Sequence, residues 1–485
     1  MKAGTWRPMQ RATLTLCAAV LAGCAAGPDF QRPASTTAST YTATALPGAT
    51  VSSPGTHGAG QQFVAAPVPI QWWTEFESDK LTTLIEQAFA ASPTLAAAQA
   101  TLRQAQHSLA ASSGNTQLPQ VSAKLGAQRQ GTNTAAAGMP GGERSYGLYS
   151  ATVALSYDLD LAGGNRRTLE ALAAQVDYQS YQLEGARLNL AASLALTAIT
   201  QAQLTGQISA TADLIAAQEE QLVLTRKRLA LGVGTEQEVL ALLTQLEQVK
   251  AVIPALENRR EQTRHLLAVL AGQAPAQSSA ALFELKDFAL PVQLPVSIPS
   301  ELARRRPDVR ASEALLQAAS AQYGVAVAKL YPQLTLSASL GSQALTAASL
   351  FGAGSLVWGL GGQLVQPLFT PGLRDNAKAA EAAMQAAQAN YQQTVLQSLR
   401  NVADVLRTVE NDARAQQALE RAHTSAQDAL ALVTVRHTLG AASYLELLQT
   451  QQQAQRTYID VLESRARRVS NTVSLYQAMG GGHVQ

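Results

Sequence analysis

Asp158 and Asp160 are the residues of this chain whose type and spacing most invite a chemical reading. Two carboxylates two positions apart on a strand project from the same face, and a carboxylate pair is what acid/base hydrolysis of a glycosidic bond employs. Their neighbours point elsewhere. Every odd position from Tyr149 to Leu161 is apolar, and Ser150, Thr152 and Ser156 share the even face with the two aspartates. In that setting the pair extends a polar lining or makes a hydrogen bond at the strand end. His57, His107, His265, His423, His437 and His483 are scattered, and no HExxH, GxSxG or P-loop pattern accompanies them. The sequence thus supplies no catalytic constellation, no metal site and no cofactor motif.

The elements that must hold these residues are written twice. The interval from Gly164 to Gly232 equals in length that from Gly372 to Gly440, and each is a long, nearly proline-free helical stretch. Two alternating segments precede each stretch. This gives a first repeat over 71–290, with strands near 118–130 and 147–161, and a second over 291–485, with strands near 331–341 and 355–369. Leu334, Leu336, Ala338 and Leu340 alternate with polar residues, as do Leu356, Trp358, Leu360 and Leu364 with Gly359, Gly361 and Gln363; the segment near Val121 alternates less clearly. A half-buried strand of a soluble sheet would look alike, but each segment is long enough for a tilted membrane strand. Gly- and Ser-rich loops at 132–146 and 342–354 would close the hairpins.

The helices carry a heptad seam: Ile208, Ile215, Leu222 and Leu229, then Leu242, Leu246, Val249, Ile253 and Leu256 on the return. Pro254 predicts a kink or break there. Fully helical, each long stretch would run on the order of 100 Å. A duplicated pattern of this kind suits a pseudo-symmetric assembly better than an enzyme with one cleft.

Composition narrows the partners. Lys plus Arg number 36 against 34 Asp plus Glu, with no basic run, which speaks against nucleic acid. Lys2, Arg7 and Arg11 precede a short apolar run from Ala12 to Ala22, as in a signal peptide over residues 1–23. The run ends in Leu21-Ala22-Gly23-Cys24, which resembles a bacterial lipobox. That resemblance implies lipid attachment at Cys24, and Ala25 after it implies sorting to the outer membrane. Cys17 leaves with the signal, so no disulfide or cysteine metal site remains. Residues 24–70, rich in Ser, Thr, Ala, Pro and Gly, read as a polar tether, with order beginning near Trp72 and Trp73. No later run suits a transmembrane helix, so a membrane crossing must be made by strands.

Six motifs carry a resemblance over essentially the whole mature chain: CAAGPDFQRP, the WW...F...L..LI..A opening from Trp72, LSYDLDLAGGNRR, QPLFTPGLR, RLALGVGTEQEVLALLTQ from Arg228 and RHTLGAASYLELLQTQ from Arg436. They resemble the TolC/OprM family of outer-membrane efflux factors, specifically its lipoprotein branch. The resemblance implies an α+β membrane protein: a homotrimer whose twelve-stranded β-barrel, four strands per chain, continues into a long periplasmic α-helical barrel. It implies a periplasmic adaptor and an inner-membrane RND-type pump as partners, outer-membrane lipid around the barrel, and no cofactor. Gly232 and Gly440 are helix stops on any reading; the resemblance adds that Gly232-Val233-Gly234-Thr235 and Gly440-Ala441-Ala442-Ser443 are adaptor-docking tips. The second tip departs from the family pattern, with His437 where an aromatic is usual and Ala441-Ala442 after the glycine. Asp428, ahead of the second tip, is either a solvated helix position or one member of a carboxylate ring constricting the lumen. The expected function is a passive exit duct for small molecules such as drugs, without catalysis. The alternatives are the channel of a type I protein secretion system and a coiled-coil periplasmic scaffold lipoprotein that forms no channel.

Overall fold

The computed structural model describes residues 26–34, 38–55, 57–133, 142–277 and 281–482; Cys24 lies outside them. In chain order the elements are β1 (Gln62–Val64), α1 (Asp79–Ala91), α2 (Pro93–Gln117), β2 (Gln120–Asn133), β3 (Glu143–Leu159), α3 (Gly164–Ala230), α4 (Glu236–Lys250), α5 (Val252–Leu270), β4 (Gln293–Pro295), α6 (Pro299–Arg305), α7 (Pro307–Ala328), β5 (Gln333–Ala344), β6 (Leu356–Val365), α8 (Pro371–Thr438) and α9 (Tyr444–Ala478). Two compact units form, and neither coincides with a sequence repeat. One draws on residues up to 33, 101–180 and 311–391, the other on 34–100, 181–310 and 392–485.

The first unit holds an antiparallel sheet in the order β2-β3-β5-β6. Its register sorts most of the side chains by polarity. Val121 pairs with Leu155, Leu155 with Ala338 and Ala338 with Leu360; the neighbouring row is Ala123, Val153, Leu340 and Trp358. Residues two apart share a face, so all four strands turn one apolar face outward together. The weak alternation of β2 becomes clear only in this register, because Val121, Ala123, Leu125 and Ala127 join the apolar face. Leu125, Trp358 and Leu360 are 85%, 75% and 82% exposed in the protomer. The β2–β3 hairpin also stays paired to Asn133 and Glu143, past the edges of the expected loop.

The second unit is mainly helical. Ala191, Ala195, Ala198 and Ala202 are buried along one face of α3, which explains the alanine-rich composition: small side chains let helices approach closely. Farther along, Leu222 packs with Leu242, Leu246, Tyr444 and Leu448, so the heptad seam of α3 is shared with both return helices. The return after α3 breaks at Ala251, between α4 and α5. Pro254 sits in the first turn of α5, where a missing N–H leaves no helical bond unmade.

The segment 38–70 is not a tether. Thr50, His57 and Gln61 are buried, and β1 pairs in parallel with β4. Tyr41 donates to the Ser297 carbonyl at 2.7 Å, Gln417 to Ser52 at 2.9 Å, and Arg468 to the carbonyls of His57 and Ala59 at 2.8 Å each. Polar composition suggested disorder because it offers little apolar area to bury. The segment instead packs through backbone carbonyls that satisfy long side chains of α8 and α9.

Candidate duct wall and docking tips

Both long helices end in the same backbone device. After α3, Gly232 N–H donates to the Leu229 carbonyl at 2.9 Å and Val233 N–H to Arg228 at 3.0 Å; after α8, Gly440 donates to His437 at 3.0 Å and Ala441 to Arg436 at 2.7 Å. These are the paired bonds of a Schellman motif, which requires a left-handed residue. Gly232 and Gly440 have φ of 74° and 76°. A Cβ at either would meet nothing within 4 Å, so glycine is needed for its backbone conformation and not for room. Gly234 differs: a Cβ there would lie 3.0 Å from the Leu229 nitrogen.

Thr235 then caps α4 through a reciprocal capping box with Glu238. Ser443 caps α9, accepting from Glu446 N–H at 3.1 Å, but the Glu446 carboxylate is turned to Arg436 at 3.0 Å. Arg436 also donates to the Ala441 carbonyl at 3.2 Å. His437 links the tips. Its Nδ1 lies 3.1 Å from the Ala442 carbonyl and its Nε2 3.4 Å from Arg228 Nη1, so the two bonds together require the neutral ring with the proton on Nδ1. Leu231 and Leu439, one residue before each glycine, are 78% and 77% exposed.

The polar face of the sheet carries Ser122, Lys124, Thr152, Ser156, Ser337, Ser339 and Gln363. Asp158 and Asp160 do separate jobs at its end. Asp158 accepts from the Thr335 hydroxyl across the strands at 2.7 Å, and Asp160 accepts from the N–H groups of Asn165 and Arg166 at 2.9 and 2.8 Å, capping α3. Asp428 stands exposed on α8, off the buried seam of Ala426 and Val433. Among the described residues no group of three or more His, Cys, Asp or Glu is arranged to hold a metal ion.

Sequence reasoning did not anticipate Arg167. It is buried, pairs with Glu170 and Asp29 at 2.7 Å, and donates to the carbonyls of Ala26 and Gly27 at 3.3 Å. Ala26 N–H in turn donates to Ala162 at 2.8 Å. The chain beginning two residues after Cys24 is therefore fastened beside the end of β3. The GPD within CAAGPDFQRP was the available signal: Gly27, with φ of 82°, would put a Cβ 2.7 Å from Gly324 Cα.

An amphipathic sheet with bare edges at β2 and β6, whose strands lead into helices of 67 and 68 residues reversed at capped tips, defines a membrane duct subunit. The family model for outer membrane efflux proteins matches residues 84–273 and 298–481, and the chain belongs to that family. It is similar to the pyoverdine export outer membrane protein OpmQ of Pseudomonas putida, 30% identical over 85% of this chain and 88% of that protein. It is also similar to the outer membrane protein OprJ of Pseudomonas aeruginosa, 26% identical over 98% and 96%. Among solved structures the outer-membrane channel OprN superposes with a TM-score of 0.84 at 26% identity, covering 95% of this chain and 99% of that one. The fold is TolC-like, and the protein is an outer-membrane efflux channel extending into the periplasm; the similarity favours this over a protein-secretion channel or a spacer lipoprotein.

Proposed function

We propose that three copies of this chain close a twelve-stranded barrel and act as the passive exit duct of a tripartite pump, moving small molecules without bond chemistry or cofactor. The observation that carries this reading is the sorted sheet. Its apolar face suits lipid, its polar face suits a water-filled lumen, and the unpaired edges of β2 and β6 would each leave a row of backbone groups unsatisfied in hydrocarbon. Pairing β2 of one copy with β6 of the next removes every edge, and C₃ symmetry closes the ring. The energy would come from an inner-membrane RND-type pump. The tips at Gly232-Val233-Gly234-Thr235 and Gly440-Ala441-Ala442-Ser443, with Leu231 and Leu439 bare, would receive a periplasmic adaptor. Cys24 would carry the lipid, and Asp428 would contribute to a threefold carboxylate ring.

The test is the face assignment. Val153→Arg on the apolar face should cost about 2–4 kcal/mol and abolish heat-modifiable trimers, whereas Thr152→Arg should assemble and conduct in planar bilayers. Equal tolerance on both faces would remove the membrane-strand reading and the duct with it.

A further inference from the structure

Between the Gln128–Leu148 pair and the row of Asp158, the polar face of the sheet is almost without charge and carries one cation, Lys124; Arg144, opposite Thr132 in the same set of positions, lies nearer the β2–β3 turn. From the Gln128–Leu148 pair down to the row of Asp158, Thr335 and Gln363, the face is built of Ser, Thr, Gly, Gln, Ala, Leu and Val apart from Lys124 and Asp158 themselves. Lys124 shares its row with Thr152, Gly341 and Val357. The next row toward Asp158 is Ser122, Ala154, Ser339 and Gly359. Lys124 is exposed and makes no ion pair among the described residues. Asp158 lies six strand positions farther along, about 20 Å away, beyond the screening length of about 10 Å at 0.1 M salt. Its carboxylate is already engaged by Thr335.

From this isolation we infer that Lys124 sets the charge preference of the duct's barrel section, favouring anionic solutes such as carboxylates, sulfonates and phosphates. The inference rests on the trimeric-duct reading above. Three copies would present a ring of three ammonium groups on the inner wall of a twelve-stranded barrel, whose backbone radius is on the order of 12 Å for ordinary strand tilt. At about 0.1 M salt the screening length is comparable to that radius, so the field of the ring reaches across the lumen; at 1 M it shrinks to about 3 Å and the centre is neutral. Rings of basic side chains are a general route to anion preference. Gly341 in the same row bears no side chain to crowd the lysine. A Cβ there would lie 2.3 Å from the Ala151 carbonyl oxygen and 2.6 Å from the Thr152 methyl.

The experiment is the zero-current potential of purified trimers in planar bilayers across a KCl gradient near 0.1 M, comparing wild type, Lys124→Gln and Lys124→Arg. Heat-modifiable trimers establish assembly of each variant. The chloride-to-potassium permeability ratio should fall roughly twofold or more in Lys124→Gln, persist in Lys124→Arg, and lose its dependence on residue 124 near 1 M. A carboxylate ring in series would shift every absolute ratio but leave the difference between variants intact. An unchanged ratio in Lys124→Gln at low salt overturns the inference while leaving the duct standing, and so does an equal fall in Lys124→Arg. Wild-type trimers that never conduct overturn the duct reading itself, before any variant is compared.

Discussion

The reversal after α3 and the reversal after α8 end their helices with matching hydrogen bonds and matching left-handed glycines, yet their side chains are committed differently. The first turn is capped locally by Thr235 and Glu238, and its arginine, Arg228, reaches the other hairpin. In the second, Arg436 and His437 both fold back on their own turn at Ala441, Ala442 and Glu446. Beyond the turns the divergence continues, since the return after α3 breaks at Ala251 while α9 runs unbroken from Tyr444 to Ala478. Duplication has kept what the backbone needs for a sharp reversal, and the side chains have divided the work. The second hairpin holds itself, and the first leans on it.

The sharpest way to break that symmetry of backbone is at the glycines. Gly232→Leu and Gly440→Leu each force a branched residue into a left-handed conformation costing roughly 1–2 kcal/mol, at a tip where neither side chain has a neighbour to displace. Export should be lost in both variants with protein level, trimer formation and membrane insertion unchanged, as read by drug susceptibility beside immunoblots of outer-membrane fractions. Normal export in either variant, or failure through missing protein, would show that the docking role assigned to the turns is wrong.

Cap removal separates the tips at the next level. Thr235→Ala removes a reciprocal box and should cost about 1 kcal/mol of local stability in α4. Ser443→Ala removes a single bond, while Arg436 still holds Glu446 and Ala441, so α9 should lose less. Hydrogen exchange at Glu238 and Glu446 amides reads the difference; equal acceleration would mean that the Arg436 contacts do not compensate.

The arginines sharpen the same contrast at smaller cost. Arg436→Ala breaks two contacts of a half-exposed side chain and should loosen the second turn by roughly 0.5–1 kcal/mol. Arg228→Ala breaks one long bond, at 3.4 Å, and should leave the first turn itself unmoved while speeding exchange near His437. The opposite ranking would reverse the claim that the second hairpin is the self-held one.

What sequence could disclose follows the range of the interaction. The tip glycines were legible because a Schellman turn is local, and β3 because its odd positions are uniformly apolar. β2 was faint because Ala123 and Ala127 are small on its apolar face and Gly126 puts no side chain on the other, and only pairing with β3 showed which face it shares. The Arg228–His437 contact joins residues 209 positions apart and leaves no local trace. Pro254 was legible as a disturbance, but the break falls at Ala251, since a proline is harmless in the first turn that follows it. The segment 38–70 was misread for the same reason of range: its partners lie more than 200 positions away, in β4, in Phe288 and Ser297, and in Arg407, Gln417 and Arg468 of α8 and α9.

That segment sets the last and smallest contrast, because among the two hairpins it is the second that it fastens to through these side chains. His57 is its buried titratable node, with φ of 59°, Nε2 donating to the Phe288 carbonyl at 2.6 Å and Nδ1 buried without a partner. Burial pushes the imidazole below its ordinary value of 6.5, and the nearby Arg465 and Arg468 push the same way, against the opposing effect of the Phe288 bond. The sign follows from proton counting. The unfolded segment takes up a proton near pH 6.5 while the packed one stays neutral to lower pH, so packing is complete above 6.5 and weakens as pH falls toward the packed value. Limited proteolysis of 38–64 should therefore speed up between pH 7.5 and 5.5, with the α3–α4 turn unaffected. His57→Gln, which retains a donor for Phe288 but does not titrate, should flatten the dependence. If the glutamine variant keeps the full acid response, the proton acts elsewhere, and the fastening of this segment owes nothing to the charge state of His57.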